Sequence, residues 1–558
     1  MSDPYFLKPI YVPLLSGWQL TLVSFLCDWV PGVASYLAKD SGLMDLRYID
    51  LDEDPTLYPF DILTHLEYRN SKPKVLSLDE SINYLQQRIN PSQFSKSSDF
   101  VRKYVNGDIT PLDVIHALIK ILDEDKERDD GIHAIIKYNR DELIKQAEAS
   151  TARYKKGNPI GPLDGVPISI KDEMHALPYS TDMGTNFINI IPTRDTAVVK
   201  RLRDQGCIII GKASMHEMGL DVTNCNPHGT PRNPYAINHF TGGSSGGSAA
   251  SVASGLCPIS IGADGGGSIR IPAAHCGVYG LKPTAGRISA CNGFSLAPSV
   301  GVVGPIASNA YDLALAYYLT AGPNPEDPSS LMQPPVTIES FQKIQSLQGL
   351  KIGVHWAYFR DANEEVVKQC EESLKKFEKL GAKIVPIELL NLQHIRNSHT
   401  ISICAEFVSK LNGYPRHLFT YPTRIALNVF ENIRAVDLLS AAKVKTRGMN
   451  MVRQIFKEVD VIVTPTSGLT APKIPPGALT NGLSDYTSAG QVMKYIFMGN
   501  VLGIPAVSCP VGYDSKGLPI GLQFQAKWFN EDVLLRLANA SEDLHKLVHT
   551  PTSYNALV

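Results

Sequence analysis

The sequence predicts an α/β fold in which helices cover a central sheet. Three observations carry that prediction. Short apolar runs of strand length alternate with amphipathic stretches of helix length. Glycine and proline punctuate the joins. The chain has 558 residues, 44% hydrophobic and 19% charged, which is the balance of a large globular protein.

Taken in order, the first element is the apolar stretch "LLSGWQLTLVSFLCDWVPGVASYLA", residues 14–38. A spanning helix needs about 20 uninterrupted apolar residues. Asp28 and Pro31 interrupt this one, and Lys8 alone supplies basic charge ahead of it. Neither a membrane span nor a secretory signal is expected. Trp18, Leu22, Phe25, Leu26 and Trp29 recur at helical spacing. That apolar face suits a membrane interface, a second copy of the chain, or docking on its own domain. Residues 40 to about 95 are mixed, proline-bearing and polar and read as an extended arm or an irregular packing layer. Residues 1–96 thus form an N-terminal extension, and residues 97–558 the main domain.

Helical periodicity begins at residue 97, in two pieces separated at Gly107–Pro111. "DELIKQAEASTARYKKG" is a further helix stopped at Gly157. Alternation follows. "GVPISIKD" (Gly165–Asp172) reads as a strand, "RDTAVVKRLRDQG" as a helix, and "CIIIGK" (Cys207–Lys212) as a buried strand. Beyond a proline-rich break, "GLKIGVHW", "ANEEVVKQCEESLKKFEKLG" and "AKIVPIEL" spell strand, helix, strand. "VDVIVTPT" and "IPAVSCPVG" are further strands.

Charge excludes one function class. Lys and Arg number 53 against 55 Asp and Glu, with no long basic run, so no nucleic-acid partner is expected. The 9 cysteines form no C-x-x-C pair, and "HEMGL" lacks the second histidine of a zinc motif. Reduced, mostly buried thiols are expected.

The segment from Thr241 to Gly286 is dense in glycine and serine, yet "SAASVASGLCPISIGAD" is too apolar for a linker. It reads as a small-residue helix, then a strand. Three glycines, Gly265–Gly267, lead directly into Ser268. No lysine follows them, so they are not a P-loop. Glycine lets successive N–H groups approach a developing negative oxygen, so the run suits an oxyanion hole with Ser268 as nucleophile. "TGGSSGGS" fits G-x-S-x-G only weakly, because no clear strand precedes it. Lys171 closes an apolar strand. It reads either as a surface lysine or as a desolvated amine able to take a proton, since desolvation favours the neutral amine of lysine.

Taken together, "PLDGVPISIKD", "TGGSSGGSAA" and "GADGGGSIRIPAAHCGVYGLKPT" resemble the amidase signature family, over roughly residues 100–545. The resemblance implies a mixed, twisted sheet with helices on both faces, and a Ser-Ser-Lys triad. Ser268 matches the nucleophile, Ser244 the bridging serine after a cis peptide bond, and Lys171 the base. The 24-residue separation of the two serines fits the family. Gly265, Gly266, Gly267 and the Ser268 N–H match its oxyanion hole. Arg270 matches a family arginine, read either as a partner of Asp264 or as catalytic. Met218 matches a methionine whose backbone contacts substrate, or else packs in the core.

Within the family, "KQAEASTARYKKGNPI", "GKASMHEMGL" and "TPTSGLTAPKIPPGAL" are most similar to plant-type fatty acid amide hydrolases. That likeness implies lipid amide substrates such as N-acylethanolamines and no metal or organic cofactor. It further implies an intracellular enzyme, peripheral on an internal membrane such as the endoplasmic reticulum or cytoplasmic, and a homodimer. A general amidase on small or aryl amides, or one component of an amidotransferase-type complex, are the alternatives.

Overall fold

The computed structural model describes residues 5–547, apart from 62, 65–66, 68–76 and 88–93, together with 549 and 551–557. Its centre is one mixed sheet of 11 strands in the order β1-β3-β2-β4-β6-β5-β10-β11-β9-β7-β8. The first four are β1 (Ile135–Lys137), β2 (Pro167–Lys171), β3 (Ile208–Ala213) and β4 (Ile259–Asp264). Then come β5 (Tyr279–Lys282), β6 (Val302–Ala307), β7 (Lys351–Val354) and β8 (Lys383–Pro386). The last are β9 (Val461–Pro465), β10 (Ala506–Tyr513) and β11 (Pro519–Ala526). Parallel pairing joins β3, β2 and β4 at one end and β9, β7 and β8 at the other; antiparallel strands fill the middle.

Side chains alternate across a strand, and β9 shows both faces covered. Val461 and Val463 join one core cluster, Ile462 the other. Over the first face lie the helices Pro111–Glu127, Ala310–Thr320, Glu364–Lys379 and Glu531–Leu544. Over the second lie Leu392–Leu411, Tyr421–Phe430, Ala435–Ile455 and Phe497–Val501. The predicted strands and the alternating helices between them are present. Sequence patterning missed β1, β5, β6, β11 and the long helices after residue 390.

The apolar N-terminal stretch forms two helices, Gly17–Trp29 and Val33–Asp40, meeting at a bend of 108°. Among the described residues no single helix is long and apolar enough to cross a membrane. Leu20, Ser24 and Cys27 are buried in the first helix, which packs on Tyr421–Phe430. Asp28 pairs there with Arg424 and accepts from Asn428 at 2.7 Å. The opposite face is bare: Trp18 is 73% exposed, Trp29 71% and Phe25 54%. Docking on the domain and an outward apolar face therefore coexist.

The arm that follows lies along the Ala435–Ile455 helix. Arg47 pairs with Asp437 at 2.5 Å, Glu53 with Arg447 at 2.5 Å, and Asp61 with Arg453 at 2.8 Å. It is less irregular than its sequence suggests. Leu78–Gln86 is a helix, closed at its start by a reciprocal Ser77–Glu80 capping box.

Candidate active site

The apolar run "PISIK" makes β2 a fully buried strand and carries Lys171 into the interior, only 1% exposed. Of the two positions open from sequence, surface or interior, the structure gives the interior one. The Lys171 Nζ lies 2.9 Å from Ser244 Oγ, 3.3 Å from the Ala263 carbonyl and 2.9 Å from Glu173 Oε2. Three oxygens therefore surround the amine, one of them the Ser244 hydroxyl. Asp172, on the other side of the chain, pairs with Lys212 of β3 at 3.0 Å. Both are fully buried, which pins the strand end from behind.

Ser244 follows a cis Gly243–Ser244 peptide bond, as the resemblance implied. The helix Gly246–Ala253, "GGSAASVA", begins just after it and is buried throughout. Small residues are required there. A Cβ on Gly247 would stand 2.4 Å from the Ser214 nitrogen. Gly219 abuts the serine in the same way: a Cβ on it would come within 3.3 Å of Ser244 Oγ.

Strand β4 pairs in parallel with β2, so its end at Asp264 delivers the glycine loop beside Lys171. The Asp264 carboxylate organises that loop. It accepts from the N–H groups of Gly267 at 2.7 Å and Ile269 at 3.2 Å, from Arg270 Nε at 2.9 Å and from Asn500 Nδ2 at 2.8 Å. Burial alone would push this carboxyl up; the Arg270 charge and the hydrogen bonds from Arg270 and Asn500 outweigh it and hold it well below the usual range. Arg270 is itself buried and also donates to Gln523 Oε1 and Asn500 Oδ1, both at 2.6 Å. The structure therefore gives Arg270 its salt-bridge reading.

One expectation changes. The Gly267 N–H is turned onto Asp264, so it does not face the site with its neighbours. Among the described residues, the N–H groups of Gly265, Gly266 and Ser268 have no protein acceptor. The Gly265 carbonyl accepts from His399 Nε2 at 2.7 Å. A carbonyl only accepts, so Nε2 carries the hydrogen. Burial pushes this imidazole down to about 4.

These groups meet in one cavity of about 80 Å³. Lys171, Glu173, Ser244, Gly265, Gly266 and Ser268 line its polar side; Phe294, Leu296, Ile403 and Phe407 line the apolar side. Met218 does not reach it. Its side chain is fully buried in a cluster with Met183, Met215 and Leu296, and its N–H bonds the Met183 carbonyl at 2.9 Å. Its neighbour Gly219 lines the cavity instead. Glu173 and His399 escaped the sequence reading. Glu173 lies in the turn that ends β2, where the Met174 N–H bonds the Lys171 carbonyl at 3.1 Å, so only its closeness to Lys171 in "IKDE" hinted at it. His399 had no such hint, being far off in sequence.

The sequence model of the Amidase family matches residues 117–535, which span Lys171, Ser244 and Ser268. The chain belongs to the amidase family. This amidase is 36% identical over 560 residues to a fatty acid amide hydrolase of Arabidopsis thaliana, covering 94% of this chain and 91% of that one. To a fatty acid amide hydrolase of Oryza sativa subsp. indica it is 39% identical over 466 residues, 81% of this chain and 77% of that one. Among solved structures, a bacterial aryl acylamidase of the amidase signature family superposes on it with a TM-score of 0.71 at 24% identity, over 82% of the amidase and 97% of that chain. That likeness is one of fold. The sheet of this amidase, with its helices, is the amidase signature fold that the sequence predicted.

Proposed function

We propose that this amidase cleaves fatty acid amides such as N-acylethanolamines, through an acyl-enzyme on Ser268, with Ser244 and Lys171 as its proton relay. The observation that carries the reading is the buried 2.9 Å bond between Lys171 Nζ and Ser244 Oγ, in the wall of a cavity that Ser268 also lines. Neutral Lys171 takes the Ser244 proton as Ser244 takes the Ser268 proton. Ser268 Oγ then attacks the amide carbon, and the N–H groups of Gly265, Gly266 and Ser268 receive the oxyanion. The relay leaves an ammonium on Lys171, which the Glu173 carboxylate and the Ala263 carbonyl are placed to stabilise. The proton returns through Ser244 to the departing nitrogen, so the amine leaves neutral. Water, deprotonated by the same relay, cleaves the acyl-enzyme and frees the acid.

The apolar half of the cavity supports an acyl substrate, and each buried CH₂ contributes about 0.8 kcal/mol. The outward face of Trp18, Leu22, Phe25 and Trp29 supports peripheral contact with an intracellular bilayer, from which such substrates are drawn. A second reading, a general amidase on small amides, is favoured by the modest cavity. Free fatty acid released from a long-chain N-acylethanolamine, beside a short amide and a Ser268→Ala control, separates them. Long-chain turnover that falls by roughly 10⁴-fold or more in Ser268→Ala supports the proposal. Turnover of short amides alone keeps the triad and removes the lipid substrate. Turnover of neither points to a component that needs partners.

A further inference from the structure

The glycine loop is held from two sides. Asp264 fixes its later half through the N–H groups of Gly267 and Ile269. The Gly265–Gly266 peptide makes no bond to Asp264 among the described residues; its carbonyl is taken by His399 Nε2 at 2.7 Å. This peptide is trans. In a planar trans unit the C=O and N–H point in opposite directions. A carbonyl fixed toward His399 therefore aims the Gly266 N–H the other way, where Gly266 lines the cavity. With glycine on both sides, little steric hindrance opposes rotation of the unit. A flip would present a carbonyl oxygen, not an N–H, to the developing negative charge.

We propose that His399 is a positioning residue that sets the oxyanion hole, holding the Gly265–Gly266 peptide in the orientation that points its N–H at the substrate oxygen. The ring is well seated for this. It is 2% exposed, and a Cβ on Gly266 would come within 3.2 Å of its Cε1. It also shares a helix face with Ile403 and Phe407, one and two turns on, which line the apolar wall. The inference rests on the acyl-enzyme reading above.

The test compares two ligands with the same long chain, a trifluoromethyl ketone and the corresponding secondary alcohol. Ser268 Oγ adds to the ketone carbon, its proton passes through Ser244 to Lys171, and the carbonyl π pair becomes an oxyanion. The alcohol fills the same space without forming one. His399→Leu removes the donor; His399→Gln keeps an N–H at similar reach. Ketone affinity and kcat are expected to fall roughly 10- to 100-fold in His399→Leu, with KM and alcohol affinity within about two-fold. His399→Gln restores most of the loss. Ketone affinity within about three-fold of wild type in His399→Leu, or an equal loss for the alcohol, overturns the inference. Should His399→Leu fail to fold, His399→Gln decides alone: a ketone-to-alcohol preference near that of the wild type supports it, and a drop beyond about ten-fold overturns it. A wild-type enzyme that binds the ketone no better than the alcohol removes the acyl-enzyme reading itself.

Discussion

The loop that carries Ser268 and the helix that carries Trp18 treat polarity in opposite ways. Behind the loop, Asp264, Arg270, Asn500 and Gln523 are buried and bonded to one another. On the helix, apolar rings stand in water, with Phe25 and Trp29 tilted against each other at 6.5 Å. Burying a charge costs more than exposing a ring. The buried network is supported because it orients backbone N–H groups that glycine alone would leave loose. The outward face spends little stability, and its meaning lies in what it meets. Stability and function are therefore coupled at the loop and separable at the helix, and variants of each test that contrast.

With Ser268 left in place, the largest effect is expected from Lys171→Ala, which removes the proposed base. Activity per folded molecule should fall by about 10²- to 10⁴-fold; a fall below ten-fold would give the proton-accepting role to another group. Arg270→Met should lower stability and activity together, because the network it breaks orients the loop. The change strands Asp264 as an unpaired buried charge and is expected to cost about 3–5 kcal/mol in denaturant unfolding. A loss under 1 kcal/mol would mean that the network is not what holds the loop.

A smaller effect follows from His399. Its folded value of about 4 lies below its ordinary 6.5, so the unfolded chain takes up the proton first as pH falls. Its contribution to stability is complete above pH 6.5 and is lost toward pH 4. The stability difference between wild type and His399→Gln should thus shrink by up to about 1.4 kcal/mol per pH unit across that window. A difference independent of pH would place the ring in solvent.

The smallest folding effect belongs to the paired change Trp18→Ser and Trp29→Ser. Stability should move by less than about 0.5 kcal/mol, while sedimentation with phospholipid vesicles drops several-fold. Unchanged vesicle binding would remove the membrane contact, and a shift in sedimentation coefficient of the free protein would assign the face to a second copy.

How much of this was legible follows from local chemistry. Strands β2, β3, β4, β7 and β9 are short runs that each carry two or more Val or Ile, and their sequences announce them. Strand β11 hides Gln523 and Gln525 inside the sheet, and β6 carries a Gly-Pro pair, so both fall outside an apolar pattern. The Leu392–Leu411 helix buries Asn397, Ser398, His399 and Ser402, which blurs its period. The site was legible where chemistry is contiguous, as in "GADGGGSIRIP". It was not where one loop borrows a group from a distant helix, as Gly265 does from His399. Nor does a glycine run reveal which of its N–H groups an aspartate has already claimed.

The arm along the Ala435–Ile455 helix has a consequence for how the protein is made. Its pairs, Arg47 with Asp437, Glu53 with Arg447 and Asp61 with Arg453, span 390, 394 and 392 residues of chain. At roughly 5–20 residues per second, a ribosome takes about 20–80 s to supply those partners. Throughout that interval Leu20 and Cys27, which the folded chain buries, have no Tyr421–Phe430 helix to lie on. A segment made some 390 residues ahead of its partners is thus among the last to be secured, and slower translation lengthens its exposure.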